Sequence, residues 1–168
     1  ITQIEMLAMS DLSLMVKAGV QWGLFGGAIS NLGNSWHRET FLPGTITCEI
    51  TGCFAMTELG HGSDVQSVET TITYLPETDE YEVHSPTPGS RKAYIGNAAQ
   101  HGKMAVVFGQ LLVGEDAHGV HAILVPIRDA DGNDMPGVVT GDNGYKGGLL
   151  GIDNGTLAFT HVRVPRDM

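Results

Sequence analysis

Phe54-Ala55-Met56-Thr57-Glu58-Leu59-Gly60-His61-Gly62-Ser63-Asp64 begins as an apolar, strand-like run and breaks within a few residues into a loop carrying glycines and hydroxyl side chains. This texture predicts a strand that delivers a loop with a bare main chain. Gly60 and Gly62 leave no side chain to hold a flat ligand off the backbone, while Thr57 and Ser63 add hydroxyls to the neighbouring amides as hydrogen-bond donors. Loops of this kind on a rigid strand are where binding residues concentrate, although an ordinary Gly-rich turn fits the same residues.

On the C-terminal side the pattern is β. Val68, Thr70, Ile72 and Tyr74 alternate with Glu69, Thr71 and Thr73, and Pro76 to Glu80 reads as the turn of a hairpin returning through Tyr81-Glu82-Val83. Met104 to Val113 is nearly continuous apolar sequence, as expected of a central strand covered on both faces, with Val120 to Ile127 as its neighbour. Apolar parity switches between Leu157/Phe159 and Val162/Val164, which predicts a bulge near Thr160. On the N-terminal side, Asp11 can cap a helix to Leu32 whose Leu12, Met15, Val16, Val20, Leu24 and Ile29 build one apolar face. Lys17, Gln21, Asn31 and Asn34 favour a buried helix of a soluble protein over a membrane span. The expected fold is mainly β: a compact β-barrel or two-sheet domain over residues 44–168, preceded by α-helices in residues 1–43, with Pro43 marking the change.

At 168 residues the chain can bury a real core, and its formal net charge of -10 argues against nucleic acid or an anionic membrane as partner. Cys48 and Cys53 match no metal spacing and no disulfide framework, so both are expected to be free, buried thiols in a reducing compartment. The start at Ile1 without Met or signal peptide, and the end just after a strand-like run, suggest an internal fragment of a longer protein. Asp129 to Asp134 has calcium-loop spacing but lacks the Gly and Glu that such a loop needs, and His118 and His121 have no third ligand, so no metal site is expected.

Four segments in order resemble the acyl-CoA oxidases of the acyl-CoA dehydrogenase/oxidase superfamily: the opening loop; Arg91-Lys92-Ala93-Tyr94-Ile95-Gly96-Asn97-Ala98; Val125-Pro126-Ile127-Arg128-Asp129; and Gly144-Tyr145-Lys146-Gly147 through Asp153-Asn154-Gly155 to Val162-Arg163-Val164-Pro165-Arg166. Asp11-Leu12-Ser13-Leu14 and Gly19 to Gly27 are similar to the last helices of that family's N-terminal domain.

The resemblance implies FAD as cofactor and fatty acyl-CoA as substrate, with dioxygen reoxidising the flavin to give hydrogen peroxide. It implies flavin contacts at Met56, Thr57, Tyr94, Ile95 and Gly96, with Thr57 on the pyrimidine edge and Tyr94 either against the isoalloxazine or packed in the core. Gly96 stands where the dehydrogenases carry Thr or Ser, which is expected to leave room for dioxygen. Gly62 and Ser63 fall on the acyl-CoA channel, or serve only as a local turn. The family's catalytic base, a Glu of the C-terminal helical domain, lies beyond Met168, so no residue here is assigned catalytic. A homodimer, and a peroxisomal or bacterial cytoplasmic location, complete the expectation. A dehydrogenase using an electron-transfer partner, or a non-catalytic FAD/CoA-binding module, are the alternatives.

Overall fold

The computed structural model describes residues 2–168, with helices first and strands after. Helix α1 (Thr2–Ser10) leads into Asp11, whose Oδ1 accepts from the amides of Ser13 (2.8 Å) and Leu14 (3.1 Å) and so caps the next helix as expected. That helix is continuous from Leu12 to Leu32 but not uniform: α2 (Leu12–Ala18) passes into a π-helical stretch, Gly19–Phe25, and then α3 (Gly26–Leu32). The Gly26 amide donates to the Gln21 carbonyl, five residues back. A wider turn rotates every later side chain about the axis, so the expected single stripe is corrected. Val20 and Ile29 are buried, Leu12 and Leu24 are exposed, and Gln21 and Phe25 take inward places instead. By length and composition Leu12–Leu32 could cross a membrane, and 33% of its apolar window is buried inside the fold.

Helix α4 (Ser35–Ile46) begins at a capping box in which the Asn34 side chain accepts from the His37 amide and the His37 ring returns to the Asn34 amide. It runs through Pro43, past the change of texture expected there. The lost proline N–H falls in the last full turn, and Thr47 closes the end by donating both its amide and its hydroxyl to the Pro43 carbonyl, each at 3.2 Å. The first strand begins only at Gly52.

Strands β1 (Gly52–Ala55), β2 (Thr71–Leu75), β3 (Glu80–His84), β5 (Met104–Val113), β6 (Asp116–Pro126) and β9 (Val162–Pro165) form a six-stranded sheet, and β4 (Lys92–Gly96), β7 (Val138–Asp142) and β8 (Asn154–Phe159) a three-stranded one. The long β5 organises the larger sheet: β6 runs antiparallel along one side, while β1 and β2 lie parallel to successive halves of the other. β2 and β3 form the expected hairpin, with Ile72 opposite Val83. The parity switch near Thr160 is not a bulge within one strand. The chain leaves β8 in the small sheet and enters β9 in the large one through His161 at φ 50°, so Val162 and Val164 reach the core that Leu157 and Phe159 already face from the other sheet.

Burial explains why β5 reads as continuous apolar sequence. Ala105 and Val107 join Cys53, Ile95, Leu157 and Phe159 in the core between the sheets, while Val106 and Phe108 face Phe25, Ile29 and Phe41 of the helices. Burying a side chain such as Phe25 is worth about 1.5–3 kcal/mol, so the helical segment is bound to the sheet by its core. Cys53 is buried as expected, but Cys48 is exposed, in the left-handed region at φ 63° just after α4.

Candidate functional site

The loop after β1 and the strand β4, distant in sequence, are laid side by side by main-chain pairing. Ala93 donates its amide to the Thr57 carbonyl at 3.0 Å, Leu59 donates to Arg91 at 2.9 Å, and Glu58 and Lys92 form an antiparallel bridge. Met56 and Thr57 are thereby brought beside Tyr94 and Gly96. Further along, Glu58 and His61 exchange amide-to-carbonyl bonds at 3.0 and 3.2 Å and close the turn that leads to Gly62 and Ser63.

Tyr94 is the most telling residue of the group. It sits at φ 62°, a conformation that a bulky residue rarely adopts, where the β4–β8 register slips between Lys92 and Ile95. Its carbonyl is held by Asn154 Nδ2 at 3.0 Å, and its side chain is left 65% exposed rather than packed in the core. Strain of this kind concentrates at sites of function. Thr57 is half-buried and its hydroxyl has no hydrogen-bond partner among the described residues, so a donor is free on the segment that pairs with β4. Met56 is half-buried against the helix-facing core. The Ile95 side chain lies in the core between the sheets, which leaves only its main chain toward a ligand.

Gly96 differs from expectation in its surroundings. A Cβ there would come within 2.8 Å of Val20 Cγ2 and 3.1 Å of Ile152 Cδ1, so the side on which a dehydrogenase-type side chain would start is closed by the helix and the 149–152 turn instead of standing open. Gly62 has open space around the corresponding position, and Gly62 and Ser63 are exposed. The turn there rests on main-chain bonds, the Val65 amide donating to the Ser63 carbonyl at 3.1 Å, without a capping bond from Asp64.

Beneath the loop lies a pair that the sequence reading passed over. Lys92 Nζ donates to Glu58 Oε1 at 2.9 Å, to the Phe108 carbonyl at 2.6 Å and to the Met56 carbonyl at 3.2 Å. Glu58 also accepts from the Thr70 hydroxyl (2.6 Å) and from the amides of Thr70 (2.9 Å) and Glu69 (2.7 Å). Both side chains are 0% exposed. Burial pushes the Glu58 carboxyl up, but the Glu69 and Thr70 donors and the Lys92 charge outweigh it and hold the group below its ordinary value. Burial pushes Lys92 down against the pull of Glu58. Lys92 lies buried between exposed Arg91 and buried Ala93, a place that a charge occupies only with a partner, and that partner lies far off in the sequence.

Two further clusters fix the turn that follows β4. Lys17 of α2 donates to Asn97 Oδ1 and Asp153 Oδ1, both at 2.7 Å, and Asp153 accepts from the amides of Gln100 and His101 at 2.9 Å. Burial pushes the Asp153 carboxyl up, yet these bonds hold it well below the usual range. The Arg128 guanidinium donates to the carbonyls of Ala98, Ala99 and Gly102 at 2.6–3.0 Å, so the Pro126-Ile127-Arg128 element secures the turn after Asn97. Between α2 and this turn opens a cavity of about 320 Å³, walled by Leu7, Leu14, Ala18 and Trp22 with Lys17 and His101 at its polar side.

Comparison with known proteins agrees with this arrangement. The family described as acyl-CoA dehydrogenase, middle domain, matches residues 53–162. Peroxisomal acyl-coenzyme A oxidase 2 of Arabidopsis thaliana is 47% identical over 98% of this chain, which covers 25% of that protein. Acyl-CoA oxidase 1 of Yarrowia lipolytica superposes with a TM-score of 0.93 at 37% identity, over 95% of this chain and 24% of that one. Acyl-CoA oxidase 2 of Caenorhabditis elegans, solved with FAD, ascaroside-CoA and ATP, does so with a TM-score of 0.83 at 31% identity, over 90% of this chain and 23% of that one. The chain thus spans about a quarter of the length of these relatives, and since the family match takes in the opening loop, β4 and both sheets, the chain belongs to the acyl-CoA dehydrogenase middle-domain family.

Proposed function

We propose that this chain is the flavin- and acyl-CoA-facing β-domain, with the helices that precede it, of an FAD-dependent acyl-CoA oxidase that converts fatty acyl-CoA to trans-2-enoyl-CoA and releases hydrogen peroxide. The observation that carries the proposal is Tyr94, an exposed aromatic held in a left-handed conformation on the strand that the Thr57 segment pairs with, Thr57 keeping a hydroxyl without a partner among the described residues. A flat ring system with a polar edge fits that pair: the tyrosine ring covers its face, the threonine hydroxyl bonds its edge, and Met56, Gly96 and the Ile95 main chain complete the wall. When bound, FAD would take hydride from the acyl β-carbon and pass the electrons on to dioxygen.

The bare loop at Gly62 and Ser63 offers amides and a hydroxyl to the thioester and pantetheine, and the cavity beside Trp22 offers apolar wall to an acyl tail. Glu58 is no base for the α-proton, because its carboxylate is fully buried and already accepts from Lys92, Thr70 and Glu69. The base is therefore assigned outside this chain, and the chain alone is expected to be inactive. With the space at Gly96 filled by Val20 and Ile152, the choice of oxidase over dehydrogenase rests on the relatives, which carry oxidase names, several of them peroxisomal. A peroxisomal location and a homodimer of the whole protein follow as part of this reading.

Titration of the chain with FAD, with FMN as control and flavin fluorescence as signal, tests the site. Saturable binding selective for FAD is expected. The activity is tested in the full-length protein by acyl-CoA-dependent peroxide release, and reduction of an artificial acceptor without peroxide would turn the assignment to a dehydrogenase.

A further inference from the structure

We infer that the buried Glu58–Lys92 pair is a positioning device for the flavin site, setting the relative height of the Met56-Thr57 and Tyr94-Gly96 segments; the inference rests on the flavin reading above. Neither residue is placed to touch the cofactor. Each adjoins one that is: Glu58 follows Thr57 directly, and Lys92 lies two residues before Tyr94. The ammonium spends its donors on three acceptors in two elements: the carbonyl of Met56 and the carboxylate of Glu58 in the loop, and the carbonyl of Phe108 in β5. The carboxylate binds the start of β2 through the amides of Glu69 and Thr70 and the Thr70 hydroxyl. One ion pair therefore joins the loop, β4, β2 and β5 at a single point under the site, with every donor of the lysine used.

A chain that needed only stability there would be served as well by apolar residues, since a buried ion pair offers little net stability over a packed core. What the pair adds is geometry. Its bonds have fixed lengths and directions, so the loop cannot slide along β4 without breaking several at once, and the strained Tyr94 backbone is over-determined from the Lys92 side as it is from Asn154 on the other. A binding surface needs its contact residues held to a fraction of an ångström by the layer behind them.

The experiment compares FAD binding by the full-length protein as wild type, K92M, the charge-free double variant E58Q/K92M, and V83A, which opens the core between the sheets on β3. Single substitution at Lys92 strands a buried carboxylate and can unfold the protein; the double variant removes both charges and keeps the test alive, with folding checked by far-ultraviolet circular dichroism. At a temperature well below all the melting transitions, E58Q/K92M is expected to bind FAD at least tenfold more weakly than wild type, with an altered absorption fine structure of the bound flavin, while V83A lowers the melting temperature and leaves the FAD affinity unchanged. Equal affinity and spectrum in the double variant and wild type would overturn the inference and leave the flavin reading intact. A V83A loss as large as that of the double variant would also overturn it, by reducing the pair to one more contributor to stability. No FAD binding by the wild type would overturn the flavin reading and this inference with it.

Discussion

The ring of Phe25 lies directly on the Cα of Gly52, so that a Cβ at position 52 would overlap the ring at Cγ, Cδ1 and Cε1. Helix and sheet meet at this point: Phe25 ends the π-helical stretch, and Gly52 is the first residue of β1, which delivers the loop carrying Thr57. Gly52→Ala has no free direction to relax, because Phe25 is fully buried among Ile29, Phe41 and Phe108. Overpacking of this kind costs about 1–3 kcal/mol, and G52A is expected at or above the top of that range in urea denaturation. A loss below about 0.5 kcal/mol would show that the helix does not dock on β1 in this way.

Gln21 reinforces the same junction with its amide. Its Oε1 accepts from the Gly52 amide at 2.9 Å, and its Nε2 donates to the carbonyls of Ile50 at 2.7 Å and Thr45 at 3.0 Å. Gln21→Leu keeps the volume and strands the Gly52 amide and the Ile50 carbonyl, while the Thr45 carbonyl keeps the Cys48 amide at 3.3 Å. With a buried unsatisfied group costing about 1–3 kcal/mol, a total loss of about 3 kcal/mol is expected in urea denaturation, and a loss below about 0.5 kcal/mol would contradict the junction.

These junctions mark where the sequence ceased to be legible. The β2–β3 hairpin and the β5–β6 pair could be read directly, because alternation in the first and an unbroken apolar run in the second reflect how many faces are covered. The π-helical stretch could not. A single extra residue in the hydrogen-bonding pattern leaves composition untouched while turning Leu24 out and Phe25 in. Pro43 marked a change of texture, but the helix runs on to Ile46: the donor that the proline lacks is lost near the C-terminus, where helical bonding is about to end, and Thr47 caps the Pro43 carbonyl. The parity change after Phe159 was visible, yet one strand with a bulge and two strands in different sheets give the same pattern, and only the sheet pairing distinguishes them. Of the candidate site, the positions came from ordered motifs, whereas the support beneath them, Glu58 with Lys92 and Lys17 with Asp153, depends on long-range partners that no local pattern encodes.

The two thiols should separate cleanly by reactivity. Burial pushes Cys53 up to about 12, with Gly102 packed against its sulfur, whereas Cys48 is exposed after α4. Alkylation of the native chain at neutral pH is expected to modify Cys48 alone, and denaturation to release the second site. Peptide mass mapping checks this, and rapid labelling of Cys53 in the native state would contradict the burial of β1.

Asp153 should make the helix-to-β4 contact sensitive to acid. A carboxylate held below its unfolded value of about 3.9 contributes stability above that value and loses it as the pH falls toward the folded value. Asp153→Asn is therefore expected to lower the urea midpoint at pH 7, and to lose less than wild type between pH 5 and 3, so that the two curves converge in acid. Parallel curves over that range would place the acid sensitivity elsewhere.

Gly96 offers a test in which packing and chemistry can be separated. Since a Cβ there meets Val20 Cγ2 at 2.8 Å and Ile152 Cδ1 at 3.1 Å, Gly96→Ala should destabilise the chain by about 1–3 kcal/mol through contact with the helix. Val20→Ala removes the methyls that close the space, at the cost of a small cavity. If the contact is the whole cause, the double variant V20A/G96A is more stable than the sum of the two single losses predicts, by a coupling of about 1 kcal/mol or more. Additive losses would mean that the strain arises from the backbone of β4 itself, next to Tyr94 at φ 62° and Asn97 at φ 68°. The double variant also frees the oxygen question from the folding question: with the packing repaired, a side chain at position 96 can be compared with glycine in the full-length protein for peroxide release against reduction of an artificial acceptor. A fall in that ratio would assign Gly96 a part in oxygen access, and an unchanged ratio would leave it as the residue that lets the helix approach β4.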